Sequence, residues 1–265
     1  MSSHTAGSQL LDACGIKIKL PDGSADGRSI TSAVPLRDET STMARRVAAN
    51  GASRSGRILR PVSVRVAGTA LLLIDVINDL AFEGSEMLVA QAEPMATRLA
   101  ALKRRTTAAG VPAIYINDNF GQWRSDFRQT VAHCTSPRSP GRRVSQRLKP
   151  TARDYFVLKP KHSGFFDTTL DTLLETLRIR RVIVTGIAGN ICVLFTANDA
   201  YMRDLKLFAP ADCIVSNTAA DNHHALRQIQ TVLKGNVAES TRLLFKRTQR
   251  TPRGRHTLGV KESQT

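Results

Sequence analysis

From residue 69 to residue 245 the chain alternates short, uninterrupted apolar runs with longer stretches in which apolar residues recur every three or four positions. Thr69 to Asp75 (TALLLID) reads as a central parallel strand buried on both faces and ending in an acid. Residues 89–109 follow with Val89, Ala92, Met95, Leu99 and Leu102 at helical spacing. The pattern then repeats: strands at 111–117, 155–158, 181–185, 206–209 and 242–245, with helices at 168–177, 190–203 and 219–234 between the later ones. Strands joined by helical crossovers pair in parallel and carry helices on both faces. The expected architecture is an α/β fold, a three-layer α/β/α Rossmann-like sandwich with a six-stranded, mainly parallel sheet.

The flanks break this rhythm. Residues 1–68 are rich in Ser, Ala, Gly and Arg without a sustained period, and 246–265 are basic and polar, so both are expected to be disordered around a single domain at 69–245. Charge divides the same way. The net +16 comprises ten Lys/Arg against five Asp/Glu in 1–68 and six against one in 246–265, leaving 22 against 16 in between. Basic ends of this kind touch polyanions weakly and in a salt-dependent way, and they lack the interleaved aromatics that stack on bases. No run reaches the roughly 18 apolar residues of a membrane span, and no basic-then-apolar leader opens the chain, so a cytoplasmic protein with no membrane partner is expected. The four cysteines, Cys14, Cys134, Cys192 and Cys213, show no CxxC spacing, which speaks against a zinc site or redox pair.

In a doubly wound sheet, ligands bind beyond the carboxyl ends of the strands. Three reactive side chains fall there: Asp75 after the first strand, Lys159 after the third, and Cys192 just past the Gly-rich turn that follows the fourth. A helix N-terminus favours a thiolate, and its unpaired N–H groups can bind an oxyanion. Each residue also has an ordinary reading, as a core cysteine, a capping aspartate and a surface lysine.

The segments LLLIDVINDL (71–80), LKPKHSGFFDTTL (158–170) and TGIAGNICVLFTANDAYMRD (185–204) together resemble, in order and spacing, the signature blocks of the isochorismatase-like cysteine hydrolases, over about residues 69–240. The resemblance implies an Asp75–Lys159–Cys192 triad and a cis peptide at Ile187–Ala188. It also implies an oxyanion hole from the N–H groups of Ala188 and Cys192, and a homo-oligomer. The implied chemistry is acyl transfer: Asp75 takes the thiol proton, Cys192 attacks an amide-type carbonyl of a small molecule, and water activated by the same carboxylate hydrolyses the thioester.

The departures narrow the reading. Nicotinamidases of this family carry an Asp and two His as metal ligands after the second strand. Here INDNFGQWRSDF (116–127) offers Asp118 without a histidine, so neither a metal nor another cofactor is expected, and nicotinamide is disfavoured. Isochorismatase itself lacks the cysteine. In the loop after the second strand, Asn119, Trp123 and Arg124 are candidate substrate-binding residues, with Trp123 as an apolar wall and Arg124 as a carboxylate clamp; Phe165 is a fourth candidate. Adjacent His223 and His224 point about 100° apart on a helix and do not converge on an ion. The Pro-, Ser- and Arg-rich stretch 136–149 reads as a mobile surface loop. The alternative is a catalytically silent ligand-binding or scaffold protein that keeps the fold.

Overall fold

The computed structural model describes residues 60–82, 85–119 and 126–246. In chain order the elements are β1 (Val62–Arg65), β2 (Thr69–Ile74), α1 (Glu86–Ala109), β3 (Ala113–Asp118), α2 (Phe127–Cys134), α3 (Arg142–Arg147) and β4 (Tyr155–Lys159). They continue with α4 (Leu170–Thr176), β5 (Arg181–Ile187), α5 (Leu194–Met202), β6 (Lys206–Phe208), β7 (Ile214–Val215), α6 (Ala219–Thr231) and β8 (Leu243–Lys246). The main sheet has six strands in the order β4-β3-β2-β5-β6, with the short β7 pairing the carboxyl end of β5, and every pairing is parallel. The expected α/β/α sandwich is therefore present.

Alternation along the strands divides the sheet between two cores. Leu71, Leu73, Tyr115 and Ile183 face Ala92, Met95, Leu99 and Leu102 of α1. Ala70, Leu72, Ile114, Val182 and Val184 face Leu170, Leu174, Ala197, Ala200 and Ile229 from α4, α5 and α6. All six residues of β2 are buried, which is why its sequence is continuously apolar rather than alternating. The chain builds outward from β2 to β3 and β4, then returns to the other side of β2 to lay down β5 and β6. The order thus reverses between β2 and β5, and the crevice at their carboxyl ends is the expected ligand site.

That crevice depends on one glycine. Gly186 has φ +117°, and a Cβ there would lie 2.0 Å from the Ile74 carbonyl oxygen. Gly186→Ala should therefore destabilise the fold by roughly 3 kcal/mol or more, through backbone strain and the clash with β2. Urea denaturation measures this, and a loss below about 1 kcal/mol would mean that the β2–β5 spacing yields easily.

Four expectations need correction. The run at 242–245 does form a strand, but β8 does not join the main sheet; it pairs in parallel with β1 in a separate two-stranded sheet, and β7 supplies the sixth strand. The boundary drawn at residue 68 consequently cuts off β1, whose Val64 is fully buried. Four residues give too short an alternation to read, and the partner that orders them lies about 180 positions away. Third, the stretch 136–149 is not a free loop. It contains α3, and Ser145 Oγ donates to the Asn78 carbonyl (3.1 Å) while the Tyr115 hydroxyl donates to the Leu148 carbonyl (2.6 Å). Fourth, the helix expected from residue 190 begins as a wide π-type turn over Gly189–Val193 before α5. The remainder of 1–68, and 247–265, lie outside the described residues. Among the described residues, no helix is long and apolar enough to cross a membrane.

Candidate active site

Asp75 follows β2 with φ +48°, a left-handed conformation that aspartate tolerates better than most residues. This turn swings its side chain back over the sheet edge. Its own N–H donates to the Ile116 carbonyl (2.8 Å), and its Oδ1 accepts the N–H of Asp118 (2.8 Å), so the carboxylate is anchored to the end of β3. Its Oδ2 faces the Lys159 ammonium across 3.0 Å, as an ion contact rather than an aligned hydrogen bond. Asp75 is 3% exposed.

Lys159, the last residue of β4, is fully buried. Its Nζ lies 3.0 Å from Asp75 Oδ2, 3.4 Å from Asp118 Oδ2 and 3.4 Å from Cys192 Sγ. A buried ammonium is tolerable only when paired, and two carboxylates meet that need. Asp118 stands in register with Lys159 across the β3–β4 ladder, one residue past the strand expected at 111–117, and the sequence offered it only in the stretch compared with a metal motif.

Cys192 sits in the turn between β5 and α5. The Ile187–Ala188 peptide is cis. The Ala188 carbonyl accepts the N–H groups of both Ile191 and Val193 (3.1 Å each), and Asn190 N–H donates to Ser216 Oγ (3.1 Å). Gly189 is required here, because a Cβ would lie 2.5 Å from Asn222 Oδ1 and 2.7 Å from Ser216 Oγ. Thr196 Oγ1 donates to the Cys192 carbonyl (2.7 Å) and accepts Gly164 N–H (3.0 Å), tying the turn to the loop after Lys159. The sulfur has polar neighbours although Cys192 is fully buried. Among the other described thiols, burial pushes Cys134 and Cys213 up to about 12, with Asp79 and Asp212 respectively adding to the effect. Such thiols are almost wholly protonated near neutrality and make poor nucleophiles.

The sequence-derived candidates thus divide. Asp75, Lys159 and Cys192 meet, and Ala188 lies in the same turn. Asn119 is buried beside them, its N–H donating to the Lys159 carbonyl (3.1 Å). Phe165 is buried in the second core with the Arg203 guanidinium 4.4 Å above its ring, a packing position. Trp123 and Arg124 lie outside the described residues. His162 was not singled out, yet its Nδ1 lies 4.0 Å from Cys192 Sγ. It stands inside the second sequence block, but only the fold of the loop after β4 brings it to the sulfur. Asp118 is engaged with Lys159. Among the described residues, no three His, Cys, Asp or Glu side chains gather as a metal site. A groove of about 400 Å³ lined by Tyr155, Phe156, Thr172, Leu173 and Thr176 lies at the amino end of β4, the opposite end of that strand from Lys159.

A doubly wound parallel sheet with an acid, an ammonium and a thiol at its switch point is the layout of an α/β enzyme with its reaction centre at the strand ends. Residues 69–241 match the Isochorismatase domain model, and the chain belongs to that family, as an isochorismatase-like hydrolase. It is similar to the uncharacterized isochorismatase family protein YaaI of Bacillus subtilis, 42% identical over 180 residues, which are 68% of this chain and 98% of that protein. The ureidoacrylate amidohydrolase RutB of Yersinia enterocolitica is 29% identical over 166 residues, 53% of this chain and 72% of that one. Among solved structures, the N-carbamoylsarcosine amidase of Thermoplasma acidophilum shares the fold, with a TM-score of 0.51 and 22% identity over 65% of this chain and 96% of that one.

Proposed function

We propose that this protein is a metal-independent cysteine hydrolase that cleaves a C–N bond of amide or carbamoyl type in a small molecule through a thioester on Cys192. The observation that carries the reading is the position of Lys159 Nζ, within 3.4 Å of both the Asp75 carboxylate and the Cys192 sulfur. The names of the ureidoacrylate amidohydrolase and the N-carbamoylsarcosine amidase support the same substrate class.

In this mechanism the thiol proton passes to Asp75 by way of Lys159, which gives one proton to the carboxylate as it takes one from sulfur and so remains an ammonium. A cation beside the sulfur stabilises the thiolate that results. The thiolate attacks the carbonyl carbon, and the N–H groups of Ala188 and Cys192 hold the oxyanion. Protonated Asp75 returns its proton to the departing ammonia or amine as the C–N bond breaks, and water then hydrolyses the thioester.

The test is ammonia release by the purified full chain across small amides, carbamoyl compounds and ureido acids. Turnover of one class is expected. Absence of release from the whole panel, with Cys192 inert to electrophiles, favours the silent ligand-binding alternative instead.

A further inference from the structure

The fully buried Lys159 stands 3.4 Å from the Cys192 sulfur, and the half-buried His162 stands 4.0 Å from it. The imidazole is held in place. Its ring packs on Phe195 of α5, with centroids 5.4 Å apart and planes tilted by 59°. The next residue, Ser163, donates its hydroxyl to Asp199 of the same helix, and Gly164 N–H reaches Thr196 Oγ1, which is bonded to the Cys192 carbonyl. Loop and nucleophile are therefore fastened to one helix, which fixes the distance between imidazole and sulfur.

The buried groups already have duties. The family resemblance makes Asp75 the activator of the hydrolytic water as well as the acceptor of the thiol proton, but Asp75 is 3% exposed and meets the sulfur in this mechanism by way of Lys159, which must stay charged between two carboxylates. The water that hydrolyses a thioester comes from solvent, toward which His162 is partly open while Lys159 is sealed. Resting on the reading of Cys192 as nucleophile, we infer that His162 is a further catalytic residue, the proton acceptor for the water that hydrolyses the Cys192 acyl-enzyme.

The geometry suits a single intervening water. Attack places water roughly 3–3.5 Å from the carbonyl carbon, and its base about 2.6–3.2 Å from the water oxygen. An imidazole nitrogen 4.0 Å from the sulfur that carries the acyl group can meet both distances. In the step, the water oxygen bonds to the carbonyl carbon as one of its protons passes to neutral Nδ1. Collapse of the tetrahedral intermediate breaks the C–S bond and leaves the electron pair on sulfur beside the Lys159 ammonium. The acid departs, and the imidazolium returns its proton to the thiolate. Nδ1 accepts only while the ring proton sits on Nε2. The ring faces the Cys192 sulfur at 4.0 Å, which in turn lies 3.4 Å from the Lys159 ammonium; Lys161 precedes His162 in the chain, and Asp199 of α5 is bonded to the adjacent Ser163. Asp75 and Asp118 act on the ring through Lys159.

p-Nitrophenyl acetate tests this without the natural substrate, because it acetylates a reactive thiol directly. Intact-mass measurement should show one acetyl group on the wild-type protein, absent from Cys192→Ala. Its clearance rate should rise with pH and then level off through one inflection, as for a base that must be neutral to accept a proton. His162→Gln should acetylate but clear the adduct at least about 100-fold more slowly, without that inflection, and added imidazole should restore part of the rate. His162→Phe keeps an aromatic ring against Phe195 and should behave like the glutamine variant. Clearance by both variants at the wild-type rate, with the same inflection, overturns the assignment and leaves His162 a packing residue. If wild-type Cys192 takes up no acetyl group, the cysteine-hydrolase reading fails first and the inference falls with it.

Discussion

Cys192→Ala should lower kcat for the responsive substrate by at least about 10⁴-fold, the scale on which loss of a nucleophile is felt when nothing nearby can replace it. The described cysteines cannot substitute, since Cys134 and Cys213 are buried thiols pushed up to about 12. The fold should survive. Removing one buried sulfur costs about 1 kcal/mol, and Lys159 keeps both carboxylates, so the melting temperature should drop by only about 2–4 °C. Cys192→Ser keeps the packing and should be nearly as inactive, because a hydroxyl beside the same groups is a far weaker nucleophile at neutral pH. Steady-state kinetics with a melting curve on each variant decide the matter. A variant retaining a tenth of wild-type turnover removes Cys192 from the chemistry.

Lys159→Met should abolish activity and also destabilise the protein by about 3–5 kcal/mol, the cost of stranding buried charge. The physical reason is local. Asp75 and Asp118 are 3% and 8% exposed, and both face the same Nζ, so methionine fills the volume while leaving two carboxylates without their cation. Stability lost for this reason returns in part when one charge is also removed, so Asp75→Asn in the Lys159→Met background should be more stable than Lys159→Met alone. Urea midpoints for wild type, both single variants and the double variant form the cycle. If Lys159→Met unfolds at the wild-type midpoint, the ammonium contributes nothing to the fold, and its burial between two acids needs another explanation.

Much of this site was legible because strand ends are legible. Asp75, Lys159 and Cys192 each terminate or follow an apolar run, and the parallel architecture places all such ends along one edge. Asp118 was in view only as a remnant of a metal motif; its pairing with Lys159 follows from the β3–β4 register, which no local pattern encodes. His162 was legible as part of a motif and illegible as a neighbour of the sulfur. Phe165 errs the other way: an aromatic shortly after Lys159 reads as a pocket wall, whereas the guanidinium above it and the apolar layer around it make it part of the core.

The amino-acid sequence by itself determined the alternation of strands and helices, the parallel sheet and the three residues whose chemistry the edge displays. Hydrophobic periodicity and strand ends are local properties, repeated along the chain and recoverable from it. The tertiary structure alone decided that β8 leaves the main sheet to pair with β1, that 136–149 folds onto the loop after β2, and that one buried ammonium lies within 3.4 Å of two acids and a thiol, with an imidazole 4.0 Å from the same sulfur. These depend on contacts between residues tens to nearly two hundred positions apart, and such contacts are set by how whole layers pack rather than by any stretch of sequence read alone.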